Sequence, residues 1–217
     1  MMRGDRVEIR IAGTGGQGLI LAGKMLAEAL VAGGWHVAQS QTYEPTSRGG
    51  FCNSDVVLSR ADVDYPLASA LDCLVLLDRI AVGRSWPLLK PGALVLADTR
   101  LCPELPEGGC AALHLPMTRT AIELGSERVA NIVALGALAV LAELCARTTL
   151  REAVLADTPR GFVDLNIAAL SAGVELAERS AAARSREPEW HADALRPGGV
   201  HAPEEPELVR PDQVPLD

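Results

Sequence analysis

The sequence is poor in aromatic residues and in positive charge. Aromatic side chains make up 3% of the 217 residues, and 28 acidic residues against 20 basic ones give a net charge of −8. Single-stranded nucleic acids are held by stacking on aromatic rings, and nucleic acids in general by clusters of basic side chains. We therefore expect no nucleic-acid partner, whereas a local site for a small anion remains open.

Cysteines are few, and their spacing is wrong for metal sites. The five cysteines include no Cys-x-x-Cys pair: Cys52, Cys73, Cys102, Cys110 and Cys145. An odd number in a chain of this length argues against a disulfide framework. Zinc and iron–sulfur sites usually need paired ligands. We expect small buried thiols and no metal site.

Long apolar runs are also absent. The most apolar stretch, residues 131–145, has the length of a core helix and is too short to cross a bilayer. Five charged residues lie between Arg3 and Arg10, which is not the pattern of a secretory signal. The sequence thus predicts a cytoplasmic chain with no membrane association.

Strand-like and helix-like segments alternate over the first 115 residues, and helical patterns follow. The predicted strands cover residues 7–12, 35–40, 52–59, 71–78, 93–97 and 111–115. The predicted helices cover residues 19–31, 81–89, 118–124, 131–146, 150–156 and 164–178. This order predicts an α/β fold, with an open, mostly parallel, Rossmann-like sheet, flanking helices and a helical C-terminal part. The first two strands, joined through a helix, are predicted to form a parallel pair.

The composition changes near residue 181. Six of the 14 prolines fall between Pro188 and Pro215, and the apolar periodicity disappears. We divide the chain into a domain over residues 1–180 and a Pro-rich, extended or disordered tail over residues 181–217. An arm that wraps a partner subunit is the functional alternative for this tail.

A glycine-rich turn follows the first strand and opens the first helix. Gly13, Gly15 and Gly18 fit the pattern Gly-x-Gly-x-x-Gly, and Gly16 and Gln17 complete the segment. Glycines allow the backbone to approach a ligand closely, and the first N–H groups of a helix attract an anion. We predict a phosphate or other anion site here. A close strand–helix crossing that needs only small residues is the structural alternative.

The turn lacks the usual partner of a dinucleotide site. Nicotinamide and flavin domains usually carry an acidic residue near the end of the second strand, which binds the ribose hydroxyls. Residues 36–41 contain no carboxylate, and Glu44 comes later, inside the following loop. This argues against a stand-alone NAD-dependent enzyme.

A second candidate segment follows the second strand. It ends in Arg48, Gly49 and Gly50, which can present a guanidinium beside exposed backbone N–H groups. Ligands of open α/β sheets bind at the carboxyl ends of the strands, where both segments are predicted to lie. A solvated arginine in an ordinary loop is the structural alternative. The four histidines are scattered, and we predict no catalytic residue in this chain.

Taken together, these segments resemble a known family. The matching motifs are Gly13-Thr-Gly-Gly-Gln-Gly18, Ser47-Arg-Gly-Gly50, Asn53-Ser-Asp-Val-Val-Leu-Ser59, Val63-Asp-Tyr-Pro66, residues 72–78, Ala121-Ile-Glu-Leu-Gly125 and Asn131-Ile-Val-Ala-Leu-Gly136. Their order and spacing resemble the gamma subunit of 2-oxoacid:ferredoxin oxidoreductases over about residues 7–175. One departure is Glu44-Pro-Thr-Ser-Arg48, which stands where many members have Gly-Pro-Glu-x-Arg.

The resemblance implies a role in a multi-subunit enzyme. Such enzymes oxidatively decarboxylate a 2-oxoacid with coenzyme A, giving acyl-CoA, carbon dioxide and reduced ferredoxin. It implies alpha and beta partner subunits, a possible ferredoxin-like delta subunit, and ferredoxin as acceptor. Thiamine diphosphate, magnesium and [4Fe-4S] clusters are expected on or between the other subunits, with none bound by this chain.

Further expectations concern this chain alone and its substrate. The resemblance is strongest to members that use 2-oxoglutarate, with pyruvate, branched-chain and aryl 2-oxoacids as alternatives. The isolated chain is expected to be inactive and able to form a homodimer. The Gly turn and the Arg-Gly-Gly segment are expected to line the approach of coenzyme A or a subunit contact. A stand-alone nucleotide-binding enzyme, NAD-dependent or adenylating, is the competing hypothesis.

Overall fold

The computed structural model describes residues 6–44 and 49–184, which form a six-stranded sheet with helices on both sides. The strands are β1 (Arg6–Thr14), β2 (His36–Tyr43), β3 (Phe51–Ser59), β4 (Leu71–Leu76), β5 (Leu89–Asp98) and β6 (Ala111–Leu115). Their order in the sheet is β2-β3-β1-β4-β5-β6. The predicted strands all form, with ends shifted by a few residues.

Five of the six strands run in one direction. β1, β4, β5 and β6 are parallel neighbours, and β3 runs antiparallel to both β1 and β2. The prediction of a mostly parallel sheet is confirmed. The prediction that β1 and β2 pair directly is wrong, because β3 lies between them. A connection as short as residues 44–50 can only join antiparallel neighbours, so β2 and β3 form a hairpin.

The helices divide between the two faces of the sheet. They are α1 (Leu19–Ala32), α2 (Val82–Ser85), α3 (Met117–Glu123), α4 (Ala130–Leu141), α5 (Arg147–Asp157) and α6 (Val163–Arg184). The helix predicted over 81–89 is replaced by α2 between two 3₁₀ turns, and Pro87 lies in the second of these. α1 and the helices from α3 onward pack on one face, and the α2 region covers part of the other.

α4 is the central helix of the larger core. Residues 130–139 are all buried, although Gly136 and Asn131 are among them. α4 crosses α6 so closely that a Cβ at Gly136 would collide with the Leu170 carbonyl, and one at Gly173 with the Val133 carbonyl. Small residues at this crossing therefore have a packing role.

The described residues end within α6. The first four residues of the predicted tail, 181–184, continue α6, and residues 185–217 lie outside the described residues. No helix in the described part of the chain is long and apolar enough to cross a membrane.

Candidate functional site

The Gly turn (residues 13–18) joins the end of β1 to the start of α1. Gly16 and Gly18 adopt left-handed backbone conformations, with φ of 102° and 70°. Side chains other than glycine rarely occupy this region. Gly13 is buried in the strand, and a Cβ there would collide with the Gln17 amide. The turn therefore needs glycine at these three positions for local structure alone.

Gln17 ties the turn to the neighbouring strand. Its Oε1 accepts a hydrogen bond from the Thr14 N–H at 2.8 Å, and its Nε2 donates to the Leu77 carbonyl at 3.0 Å. Both functions of the side-chain amide are thus used within the protein. Gln17 therefore helps to shape the turn.

Asn131 also holds the turn, and sequence reasoning did not select it as a site residue. Its Nδ2 donates to the Gly18 carbonyl at 2.9 Å, and its Oδ1 accepts from the Ile132 N–H at 2.9 Å. The two residues are 113 positions apart, so local pattern could not connect them. The available signal was a polar residue at the head of an otherwise apolar helix.

The N-terminus of α1 has no side-chain cap. Gly18 is the N-cap, no side chain caps the helix, and its first turn contains no acidic residue. The first N–H groups of an α-helix have no partner within the helix, and its dipole favours negative charge there. Lys24, in the second turn of α1, pairs with Asp157 of α5. Its hydrogen bonds to Asp157 and Glu28 raise the pKa of Lys24.

The end of the hairpin loop (residues 44–50) that leads into β3 lies beside the Gly turn. The Gly15 N–H donates to the Gly50 carbonyl at 2.9 Å, which joins the two segments directly. Gly49 is exposed with φ of 79°, and Gly50 is buried. Arg48 lies outside the described residues.

The ends of the hairpin loop are fixed by charged side chains. The Glu44 N–H donates to the Phe51 carbonyl at 3.0 Å, and a Glu44 carboxylate oxygen accepts from the Phe51 N–H at 3.2 Å. Arg84 of α2 pairs with Glu44 at 2.6 Å, and its guanidinium lies 4.8 Å from the centre of the Phe51 ring. These contacts hold the ends of β2 and β3 together where the loop begins and ends.

A buried ion pair lies in the sheet below the hairpin loop. Arg10 and Asp55 are opposite each other in β1 and β3, and two hydrogen bonds of 2.7 and 2.8 Å join them. Asn53 donates a further bond of 2.7 Å to Asp55. Asp55 was the one charged residue in the strand predicted over 52–59. Its partner across the sheet makes that burial acceptable.

The cysteines are not arranged for catalysis or metal binding. Burial raises the pKa of Cys73 to about 12 and that of Cys145 to about 11. Burial, together with the nearby carboxylates of Asp78 and Asp98, raises the pKa of Cys102 to about 11. Among residues 6–44 and 49–184, no three histidine, cysteine or acidic side chains are grouped to hold a metal ion. Thiols with raised pKa values are poor nucleophiles at neutral pH.

The sequence and the fold correspond to a known class of protein. Residues 8–176 match the family described as pyruvate ferredoxin/flavodoxin oxidoreductase. The 2-oxoglutarate synthase subunit KorC of Methanocaldococcus jannaschii is 37% identical over 177 residues, which cover 80% of this chain and 95% of that protein. The chain belongs to this oxidoreductase family.

Solved structures identify the type of subunit. The gamma subunit of a keto/oxoacid ferredoxin oxidoreductase from Geobacter sulfurreducens is 39% identical, with a TM-score of 0.74 over 81% of this chain and 98% of that one. The 2-oxoglutarate:ferredoxin oxidoreductase of Magnetococcus marinus is 27% identical with a TM-score of 0.72, over 82% of this chain and 32% of its own. That structure contains 2-oxoglutarate, coenzyme A and succinyl-CoA. The chain is a gamma-type subunit of a 2-oxoacid:ferredoxin oxidoreductase, as its motifs indicated.

Proposed function

We propose that this chain serves an enzyme that converts 2-oxoglutarate and coenzyme A to succinyl-CoA, carbon dioxide and reduced ferredoxin. The choice of 2-oxoglutarate is supported by the KorC relative, which matches along 95% of its length. The Magnetococcus marinus enzyme, which binds 2-oxoglutarate and succinyl-CoA, supports the same choice. The stand-alone NAD-dependent or adenylating enzyme is not favoured.

Within that enzyme, the Gly turn and the hairpin loop receive a phosphate group of coenzyme A. The observation that carries this assignment is the bond from the Gly15 N–H to the Gly50 carbonyl, which brings two amide-rich segments together at the open N-terminus of α1. Backbone N–H groups and a helix N-terminus suit a phosphate. Arg48, in the same loop by sequence, would supply the positive charge.

The other cofactors are assigned to other subunits. Alpha and beta partners, with a delta subunit where one exists, would hold thiamine diphosphate, magnesium and [4Fe-4S] clusters and pass electrons to ferredoxin. The described residues of this chain offer no group of metal ligands. Its own role is to bind and orient coenzyme A and to support assembly. We place the complex in the cytoplasm, because buried cysteines without disulfides suit a reducing compartment.

A purification under anaerobic conditions tests the assembly. The tagged chain, isolated from its own cells, should bring alpha- and beta-type subunits, the colour of iron–sulfur clusters and coenzyme A-dependent reduction of viologen. The rate should be higher with 2-oxoglutarate than with pyruvate, branched-chain or aryl 2-oxoacids. A chain that is isolated alone, colourless and inactive would contradict the proposal, and stabilisation by NAD or ATP would then support the competing hypothesis.

Substitutions in the complete complex test the coenzyme A site. We expect Gly15→Ala combined with Arg48→Ala to raise the apparent KM for coenzyme A by about tenfold, because the loss of the Arg48 guanidinium removes the equivalent of one hydrogen bond to a charged group. A Cβ at Gly15 has no neighbour closer than 3.9 Å, so the substitution does not disturb the fold. Gly83→Ala, in α2 and without a neighbour within 4 Å, is the matched control. An unchanged KM for coenzyme A would refute this role of the two loops.

A further inference from the structure

The outer edge of β2 is unprotected. Among residues 6–44 and 49–184, β2 is the first strand of the sheet and pairs only with β3, in register over eight positions without a bulge. Its sequence, His-Val-Ala-Gln-Ser-Gln-Thr-Tyr, contains no proline, lysine, arginine or acidic residue. Natural edge strands usually carry such residues or bulges, because an open edge pairs with other strands. An edge that lacks them is suited to receive another strand.

The hydrogen-bonding groups that face outward follow from the register. In an antiparallel pair, every second residue bonds to the partner strand and the residues between them point away. The Glu44 N–H bonds to the Phe51 carbonyl, and the Gly15 N–H to the Gly50 carbonyl on the other side of β3. Both bonds indicate the same set of β2 residues as those that bond to β3. The residues of β2 whose N–H and C=O groups point away from β3 are Val37, Gln39, Gln41 and Tyr43.

We propose that two copies of this chain associate through this edge, with β2 paired antiparallel to β2 of the second copy and Ser40 on the twofold axis. In this register all four outward-facing residues of each copy meet outward-facing residues of the other. Val37 pairs with Tyr43, and Gln39 pairs with Gln41. The two sheets become one sheet of twelve strands, counted from six in each copy. A twofold interface requires such self-complementarity.

The side chains of β2 are compatible with pairing to β2 of a second copy. A β-branched residue opposite an aromatic one stabilises a sheet, and Val37 opposite Tyr43 is such a pair. Tyr43 is 63% exposed in the single chain. At the ends of the pairing, His36 lies opposite Glu44, so no like charges face each other. This complementarity favours a second copy over an unrelated strand.

The neighbouring helix adds apolar surface close to the axis. The Gln39 side chain donates to the Ile20 carbonyl at 3.0 Å, which places the first turn of α1 beside the centre of β2. Ile20 and Leu21 are both more than a third exposed. In the proposed dimer these side chains of the two copies approach each other near the axis.

Crosslinking with matched cysteine variants tests the register. Residue 40 faces its own copy at a position without hydrogen bonds, where Cα atoms are about 4.5 Å apart, a separation that allows a disulfide. In the full chain, Ser40→Cys should form a covalent dimer with oxidised glutathione. Ala38 lies on the same face of β2 and is equally half-buried, but it pairs with Thr42 of the second copy. Ala38→Cys should therefore form no covalent dimer. The wild type, which has the five native cysteines, shows how much crosslinking occurs without the added cysteine.

Sedimentation equilibrium tests the interface without a crosslink. The wild-type chain should have twice the mass of the 22.9 kDa protomer. Gln41→Pro removes an outward N–H from each copy but no bond to β3, and should weaken the dimer by about tenfold or more. Gln41→Thr keeps the N–H group and should remain dimeric. Circular dichroism of each variant verifies that the chain is folded.

The outcomes separate this proposal from its competitors. A monomeric wild type would overturn it, including the case in which β2 is covered only when other subunits are bound. A dimer that resists Gln41→Pro, or that crosslinks equally through Ala38→Cys, would place the interface elsewhere. Coenzyme A binding is tested separately by the KM values of the complete complex, and the substituted residues Ala38, Ser40 and Gln41 lie outside the Gly turn and the hairpin loop.

Discussion

At the scale of single residues, the Gly turn is held by polar side chains from distant parts of the sequence. Gln17 connects it to the strand end at Leu77, and Asn131 connects it to α4. Asn131 is 4% exposed, so water cannot easily replace its hydrogen bonds. The left-handed conformation of Gly18 is therefore supported by the helix that packs behind it.

Replacement of Asn131 should destabilise the protein without touching its apolar core. We expect Asn131→Ala to lower the free energy of unfolding by about 0.5–1.5 kcal/mol, because the Gly18 carbonyl loses its side-chain donor and keeps the bond from the Ala22 N–H. Urea unfolding followed by circular dichroism measures this. Glu123→Ala, at an exposed position of α3, is the control and should change the free energy by less than about 0.5 kcal/mol. Equal values for the two variants would show that the Asn131 bond contributes nothing to stability.

The sequence predicted the glycines of the site better than its polar supports. Positive φ at Gly16 and Gly18 was foreseeable, because a glycine-rich turn between a strand and a helix has few other conformations. The contacts of Asn131 and Arg84 were not, since each depends on how separate elements pack. Arg48 and its neighbours lie outside the described residues, so their predicted role stays a prediction.

At the scale of elements, the identity of strands and helices was predictable and the order of the strands was not. The alternation of apolar residues located β1 and α1 within a few residues of their ends. Hydrophobic periodicity carries no information about which strands are neighbours. The insertion of β3 between β1 and β2 depends on the short hairpin loop and on a strand buried along its whole length.

The backbones of α4 and α6 approach each other closely where the two helices cross. We expect Gly136→Ala to lower the free energy of unfolding by about 1–3 kcal/mol, because the added methyl group would meet the backbone of α6 and not a flexible side chain. Chemical unfolding measures the change. Gly83→Ala lies in α2 with open space around it, and should be neutral or slightly stabilising. If Gly136→Ala behaved like Gly83→Ala, the helices would be able to separate at little cost.

At the scale of the whole molecule, the carboxyl edge of the sheet gathers groups from along most of the chain. The Gly turn, the hairpin loop and Leu77 meet there. Asp98 at the end of β5 lies at the same edge and accepts hydrogen bonds from the Thr118 and Leu101 N–H groups at 2.6 and 2.9 Å. These contacts are internal to the protein. Internal hydrogen bonds thus fix this edge of the sheet beside the two segments that we propose bind coenzyme A.

The stability of the whole molecule should fall at alkaline pH because of its buried thiols. Burial raises the pKa values of Cys102 and Cys145 to about 11, from 9.0 in the absence of burial. The folded state then holds these protons where the unfolded state releases them, so stability is retained below pH 9 and lost between pH 9 and 11. Urea unfolding between pH 8 and 10.5 should show a decline that is less steep in Cys102→Ala than in the wild type. The difference should reach at most about 1.4 kcal/mol per pH unit. Ser171→Ala, at an exposed position of α6, should keep the wild-type slope, and identical slopes in all three proteins would mean that the Cys102 thiol ionises as readily in the fold as outside it.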